Sequence, residues 1–140
     1  MREILFRGQT RRKGEKVRMD GTPVESNWVY GGVLQGTGDF SFIYQTKPSI
    51  EKMPVYTNTL GQYTGLTDKC STKIFEGDII QNVTEGKTAV VQWFSEYSAF
   101  MLWCKSENQV YWLYNNDFHN IEVIGNIYDN PELLGGADND

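Results

Sequence analysis

The sequence predicts an all-β protein, on three observations. Apolar residues rarely recur at i, i+3, i+4 and i+7 over a helix-length window, so no helix of normal length is indicated. Short runs of β-branched and aromatic residues recur instead, separated by Gly, Asn, Asp and Ser. The 140 residues include 4 Trp, 8 Tyr and 7 Phe, enough large side chains for a real core without a metal or disulfide staple.

The elements follow in order. Ile4-Leu5-Phe6 opens the chain as a strand. Trp28-Val29-Tyr30 with Val33-Leu34, and then Phe40-Ser41-Phe42-Ile43-Tyr44, form a hairpin turning at Gly36-Thr37-Gly38. Between these lies a polar excursion, residues 11–27, with Asp20-Gly21 as a turn signal. Residues 45–58 contain Pro48 and Pro54 and read as a linker.

From Gly61 the rhythm tightens. Strands are predicted at Gln62–Thr64, Asp78–Val83, Thr88–Phe94, Ala99–Cys104, Gln109–Tyr114 and Ile121–Tyr128, with turns at Glu85-Gly86, Ser95–Ser98 and Ser106–Asn108. Short strands in close succession avoid two long exposed edges by curling into a barrel. Asn115–Asn120 fits a single 3₁₀ turn before the last strand, as SH3-like barrels end. The predicted organisation is an N-terminal, hairpin-rich β subdomain (residues 1–58) packed on a small SH3-like barrel (residues 59–134). A disordered acidic tail, residues 135–140, follows.

Composition narrows the function classes. Cys70 and Cys104 form no C-x-x-C pair and His119 is the only histidine, so no metal site and no cofactor are expected. Nothing at the N-terminus reads as an export signal, and no stretch approaches the roughly 20 apolar residues of a membrane helix. The expectation is a cytosolic protein with both thiols free, in which the sequon Asn82-Val83-Thr84 is a chance match.

Charge is uneven. Residues 1–18 hold 7 basic against 2 acidic side chains, +5, and the rest 6 basic against 16 acidic, −10. Arg7, Arg11, Arg12, Lys13, Lys16 and Arg18 are therefore candidate contacts to nucleic acid. The favoured reading is a solvated hairpin that pairs with its own acidic body or with a second subunit.

No catalytic constellation stands out. Glu76 and Asp78, two apart, suit an acid–base pair, but a turn-forming Asp beside an exposed Glu explains them as well. His119 with Asp117 and Cys70 or Cys104 would need a placement that sequence cannot show. Gly31-Gly32 and Gly36-x-Gly38 lack the following helix of a phosphate loop and read as turns.

The aromatic series Trp93, Phe94, Tyr97, Phe100, Trp103, Tyr111, Trp112 and Tyr114 is the strongest functional signal. Strand alternation turns one member of Trp93-Phe94 and of Tyr111-Trp112 outward. Trp93, Tyr97, Trp103 and Trp112 are the candidate partner-binding residues. They either stack on bases or ligands, or pack against the N-terminal half, a protein partner or a second copy; the neighbouring acidic loops favour packing.

Three segments in order resemble the YopX protein family of phages and prophages. They are Arg2-Glu3-Ile4-Leu5-Phe6-Arg7-Gly8 with Asn27-Trp28-Val29-Tyr30-Gly31; then Gly61-Gln62-Tyr63-Thr64-Gly65-Leu66-Thr67-Asp68-Lys69 through Lys73-Ile74-Phe75-Glu76-Gly77-Asp78-Ile79-Ile80; then residues 122–134. The chain departs from the family pattern at Cys70-Ser71-Thr72, where an Asn-Gly type turn is usual, and in the longer loop 9–26. The resemblance implies an all-β protein with an SH3-like barrel, encoded on mobile elements and resident in the host bacterial cytosol, with no catalytic set. The expected activity is that of a non-enzymatic accessory protein acting on an unknown phage or host protein or on itself, with nucleic-acid binding as the alternative.

Overall fold

The structure, a computed structural model, describes residues 3–11, 27–34, 36, 38–45, 51–113 and 120–134. Among these the strands are β1 (Phe6–Arg11), β2 (Asn27–Leu34), β3 (Phe40–Gln45), β4 (Glu51–Tyr56), β5 (Gly61–Thr67), β6 (Lys73–Phe75), β7 (Asp78–Asn82), β8 (Thr88–Phe94), β9 (Ala99–Cys104), β10 (Gln109–Trp112) and β11 (Ile121–Asn126). Only short 3₁₀ turns accompany them among the described residues, at Thr57–Thr59, Ser95–Tyr97, Lys105–Glu107 and Pro131–Leu134. The all-β expectation holds, with two antiparallel sheets. The chain divides into two compact units, residues 1–63 and 64–140, and β5 is the strand in which one ends and the other begins.

In the first unit the strand order is β4-β3-β2-β1-β5. The sheet curls, bringing β4 back over β1: a Cβ on Gly8 would lie 2.9 Å from Val55 Cβ. The inside of the curl holds Val29, Ile43 and Val55, flanked by Phe6, Val33, Met53 and Leu60. Ser41 is also buried there. Its hydroxyl accepts the Gly36 N–H at 2.9 Å and bonds to Thr57 Oγ1 at 2.8 Å, which offsets the cost of placing it in an apolar core.

Two expectations fail in this unit. The first strand starts at Phe6, where the sequence predicts its end, and runs through polar Gln9 and Thr10 because β2 pairs with it as far as Arg11; on the other side β5 bonds Phe6 and Arg7, and Thr59 Oγ1 accepts the Gln9 N–H. The stretch read as a linker contains β4, paired in register with β3. Pro54 is tolerated because β4 is an edge strand, where a missing N–H costs no ladder bond.

In the second unit the end of β5 adjoins β6, a strand the sequence did not announce, and a five-stranded sheet has the order β10-β9-β8-β7-β11. Its core is Ile74, Ile80, Ala89, Val91, Leu102, Cys104 and Leu113. β8 and β9 span the residues that the apolar runs between turn residues predict. The turns after each are alike: a 3₁₀ turn closed by a residue of positive φ, Ser98 (49°) and Asn108 (51°).

The sheet does not close into a barrel: β10 and β11 are its two edges. The edge hazard that argued for closure is met in another way along β11. Lys69 N–H donates to Ile121 O at 3.1 Å, and Val123 N–H donates to Asp68 Oδ2 at 2.8 Å. β11 also ends earlier than predicted, at Asn126, whose Oδ1 accepts the N–H groups of Tyr128 and Asp129 and so draws the backbone out of the ladder. Past Pro131, the 3₁₀ turn carrying Leu133 and Leu134 lies against β8. Residues 115–119 of the expected 3₁₀ turn, and the tail from 135, lie outside the described residues.

Two positions test the backbone reading with opposite signs. Gly77 has φ +94°, and a Cβ there would meet Tyr128 Cε2 at 3.1 Å. Gly77→Ala is expected to lower stability in urea by about 1–2 kcal/mol. Ser71 has φ +67°. Ser71→Gly is expected to raise stability by about 0.5–1 kcal/mol, since relief of the left-handed strain exceeds the added chain entropy.

Candidate functional site

Side chains that carry chemistry elsewhere are engaged here in holding backbone. Asp78, the first residue of β7, is 2% exposed and its Oδ2 accepts the Phe75 N–H at 2.7 Å. Glu76 sits in the turn before β7, so the two carboxylates do not project together from one strand. Asp68 is 7% exposed. Its Oδ1 accepts the N–H groups of Cys70 at 2.8 Å and Thr72 at 2.9 Å, and its Oδ2 that of Val123.

Burial pushes the Asp68 carboxyl up, but the N–H groups of Val123, Thr72 and Cys70, together with Lys69, outweigh it and hold the group below its ordinary 3.8. Asn82, in the sequon, is buried and uses its amide oxygen to accept the Glu85 N–H at 3.0 Å. Cys104 is buried in β9, Cys70 is exposed, and both are free thiols. No group of three or more metal-binding side chains occurs among the described residues, and none of their helices is long and apolar enough to cross a membrane. His119 and Asp117 lie outside the described residues.

The basic candidates are only partly visible. Arg12, Lys13, Lys16, Arg18 and the side chain of Arg11 lie outside what is described. Arg7 is a correction to the expected display of charge: it is 6% exposed, with its guanidinium 4.5 Å from the centre of the Trp28 ring, and so is not presented to solvent phosphate.

The four partner-binding candidates split between two faces of the five-stranded sheet. Trp93 pairs in register with Phe100 on the face that carries Val91 and Leu102, and the rings meet edge to face at 5.1 Å. Tyr97, Trp103 and Trp112 belong to the opposite face. Trp103 and Trp112 are placed there by the β8-β9-β10 register, and Tyr97 by its edge contact with Trp112 at 5.4 Å. Beyond the other face, Lys87 Nζ bonds Glu107 at 2.6 Å and Glu85 at 3.1 Å, and Tyr111 donates to Glu107. The Lys87 ammonium, then the Tyr111 hydroxyl, hold Glu107 below the usual carboxylate range.

A larger aromatic surface, which the sequence reading missed, lies in the first unit. Register and alternation place Leu34, Phe42 and Pro54 in one outward row across β2, β3 and β4. Gly32, Tyr44 and Lys52 form the row on one side of it, and Phe40 and Tyr56 flank the other. Tyr30 is 44% exposed, Leu34 54%, Phe40 48% and Tyr44 46%. The Phe40 and Tyr56 rings stand 4.9 Å apart, and Lys52 Nζ lies 4.8 Å from the centre of the Phe42 ring. A pocket of about 340 Å³ at this end is lined by Gly38, Asp39, Phe40, Tyr56, Thr57 and Asn58.

The signal for this face was in Phe40-Ser41-Phe42-Ile43-Tyr44, where the aromatics occupy every second position. The core takes Ser41 and Ile43 and leaves the three rings outside, the reverse of the usual burial preference.

These features define a class first: an all-β protein of open antiparallel sheets whose buried carboxylates serve the backbone and whose rings lie on sheet faces. The chain matches the model of the YopX protein family over residues 14–135 and belongs to that family. The matched span contains the second and third motif segments and residues 27–31, while residues 2–8 precede it. The crystal structure of protein EF1440 from Enterococcus faecalis is similar at 21% identity and TM-score 0.47, over 96% of this chain and 100% of that one. No curated protein matches the chain.

The Asp68 geometry predicts a pH dependence. A carboxyl held below its unfolded value adds stability above that value and loses it as pH falls through the folded one. Wild-type stability should therefore decline below about pH 4. Asp68→Asn should cost about 2 kcal/mol at neutral pH in chemical denaturation and flatten that decline.

Proposed function

We propose that this YopX-family protein is a non-catalytic accessory protein, phage-encoded and cytosolic, that works by docking another protein chain on a sheet face. The observation that carries this reading is the outward aromatic face of β2, β3 and β4, where four large side chains are each about half exposed. An apolar patch of this kind is costly to leave in water and marks an interaction surface. Tyrosines suit such a face, because the ring supplies contact area and the hydroxyl keeps the free form compatible with solvent.

The Tyr97–Trp112 pair offers a smaller second surface. Support for catalysis is thin, since Asp68 and Asp78 are both bonded to backbone N–H groups. The nucleic-acid alternative rests on the charge of residues 1–18 without Arg7, which is buried against the Trp28 ring.

Affinity capture from cells carrying the mobile element tests the reading. The wild-type protein should retain a protein partner, a second copy included, that Phe40→Ser/Tyr44→Glu loses and Tyr97→Ser keeps. These exposed substitutions should leave thermal stability within about 0.5 kcal/mol of wild type. Equal retention by the Phe40→Ser/Tyr44→Glu protein, or no retained or self-associated species at all, contradicts it.

A further inference from the structure

The occupant of the aromatic face can be specified from its relief, on the reading just given that this face docks a protein chain. We infer that the outer face of β2, β3 and β4 binds a second copy of itself about a two-fold axis, with Leu34 of each chain seated over Gly32 of the other.

The relief consists of a knob and a hole two residues apart on one strand. Leu34 is the most exposed of the four large side chains there. Gly32 lies on the same face, and a Cβ built on it meets no heavy atom within 4 Å, so the space above its backbone is open. Tyr30 and Leu34 flank it along β2, and Tyr44 is its partner on β3. A knob and a hole carried by the same strand are self-complementary when two such strands meet antiparallel: each Leu34 enters the other chain's Gly32 gap. That reciprocity is the signature of an isologous two-fold contact.

Area and charge agree. Half-exposed, Tyr30, Leu34, Phe40 and Tyr44 offer on the order of 400 Å² of apolar surface. Phe42, Pro54, Tyr56 and the Lys52 stem extend this toward the roughly 800 Å² per partner of a standard interface. The whole chain carries −5 and would repel its copy, yet among these face residues only Lys52 is charged, and it sits over the Phe42 ring. Docking by strand addition at the neighbouring edge is disfavoured because β4 carries Pro54. The sheets are left to meet face to face, about 10 Å apart.

Light scattering coupled to size exclusion, with analytical ultracentrifugation over a concentration series, tests this. The wild-type chain should sediment as a dimer that dissociates on dilution. Gly32→Leu fills the hole without touching the fold, since its site is open and a strand accepts Leu; it should weaken association about tenfold or more. Leu34→Ser should do the same, while Trp93→Ser, on the other sheet, should leave the dimer intact. Circular dichroism and the thermal midpoint show that each variant is folded. A monomeric wild type overturns the inference, as does a dimer indifferent to Gly32→Leu and Leu34→Ser. A monomer that still captures a different protein through Phe40 and Tyr44 overturns this inference alone and leaves the docking reading standing; a monomer that captures nothing overturns both.

Discussion

The carboxylate of Asp68 is the constraint on which the second unit turns. One oxygen closes its own loop by accepting Cys70 and Thr72, and the other takes the Val123 N–H, 55 residues on. Lys69 completes the seam by bonding Ile121 O. A short loop thereby occupies an edge of a five-stranded sheet that would otherwise present unpaired backbone groups, and the sheet has no need to close. Three charge-assisted bonds to one buried group outweigh the cost of burying it, so the carboxyl stays ionised.

The second and third of the segments that resemble the YopX family meet next to this seam. Ile127 N–H donates to Gly77 O at 3.0 Å, Tyr128 lies against Gly77, and β11 pairs with β7. Gly125 leaves room for Asn130, whose Oδ1 would be 2.6 Å from a Cβ there and accepts the Asn126 N–H. The second and third segments thus meet as one joint, in which Asp68, Asp78, Asn126 and Asn130 each accept backbone N–H groups. A joint of this kind positions a scaffold, whereas the aromatic rows on β2, β3 and β4 contribute little to the core and carry the surface on which the proposed function rests.

Much of the fold was legible in the sequence, for identifiable reasons. β8 and β9 are short apolar runs bounded by turn residues, and Gly77 and Asp78 announced their turn through φ freedom and an acceptor side chain. β1 was misplaced because Gly8 and Gln9 have no strand preference of their own and are held by β2 on one side and, at the Gln9 N–H, by Thr59 Oγ1 on the other. β4 was hidden by Pro54, a residue that excludes a central strand but not an edge.

The barrel was expected because alternation reveals strands but not how their edges are protected, and Asp68 leaves no periodic trace of its partner on β11. The candidate site was half legible. Tyr97, Trp103 and Trp112 do share a face, but Trp93 lies on the other. The alternating rings of β3 mark a strand, but its facing is set by the partners that bury the Ser41 hydroxyl, Gly36 N–H and Thr57 Oγ1, which lie outside that pattern.

Amide hydrogen exchange at Val123 tests the central claim most directly. With Asp68 intact, that N–H should exchange slowly, alongside core amides of β8 and β9, and in Asp68→Ala it should become fast while those of Val91 and Leu102 stay protected. A Val123 amide that exchanges at the same rate in both proteins would contradict the account.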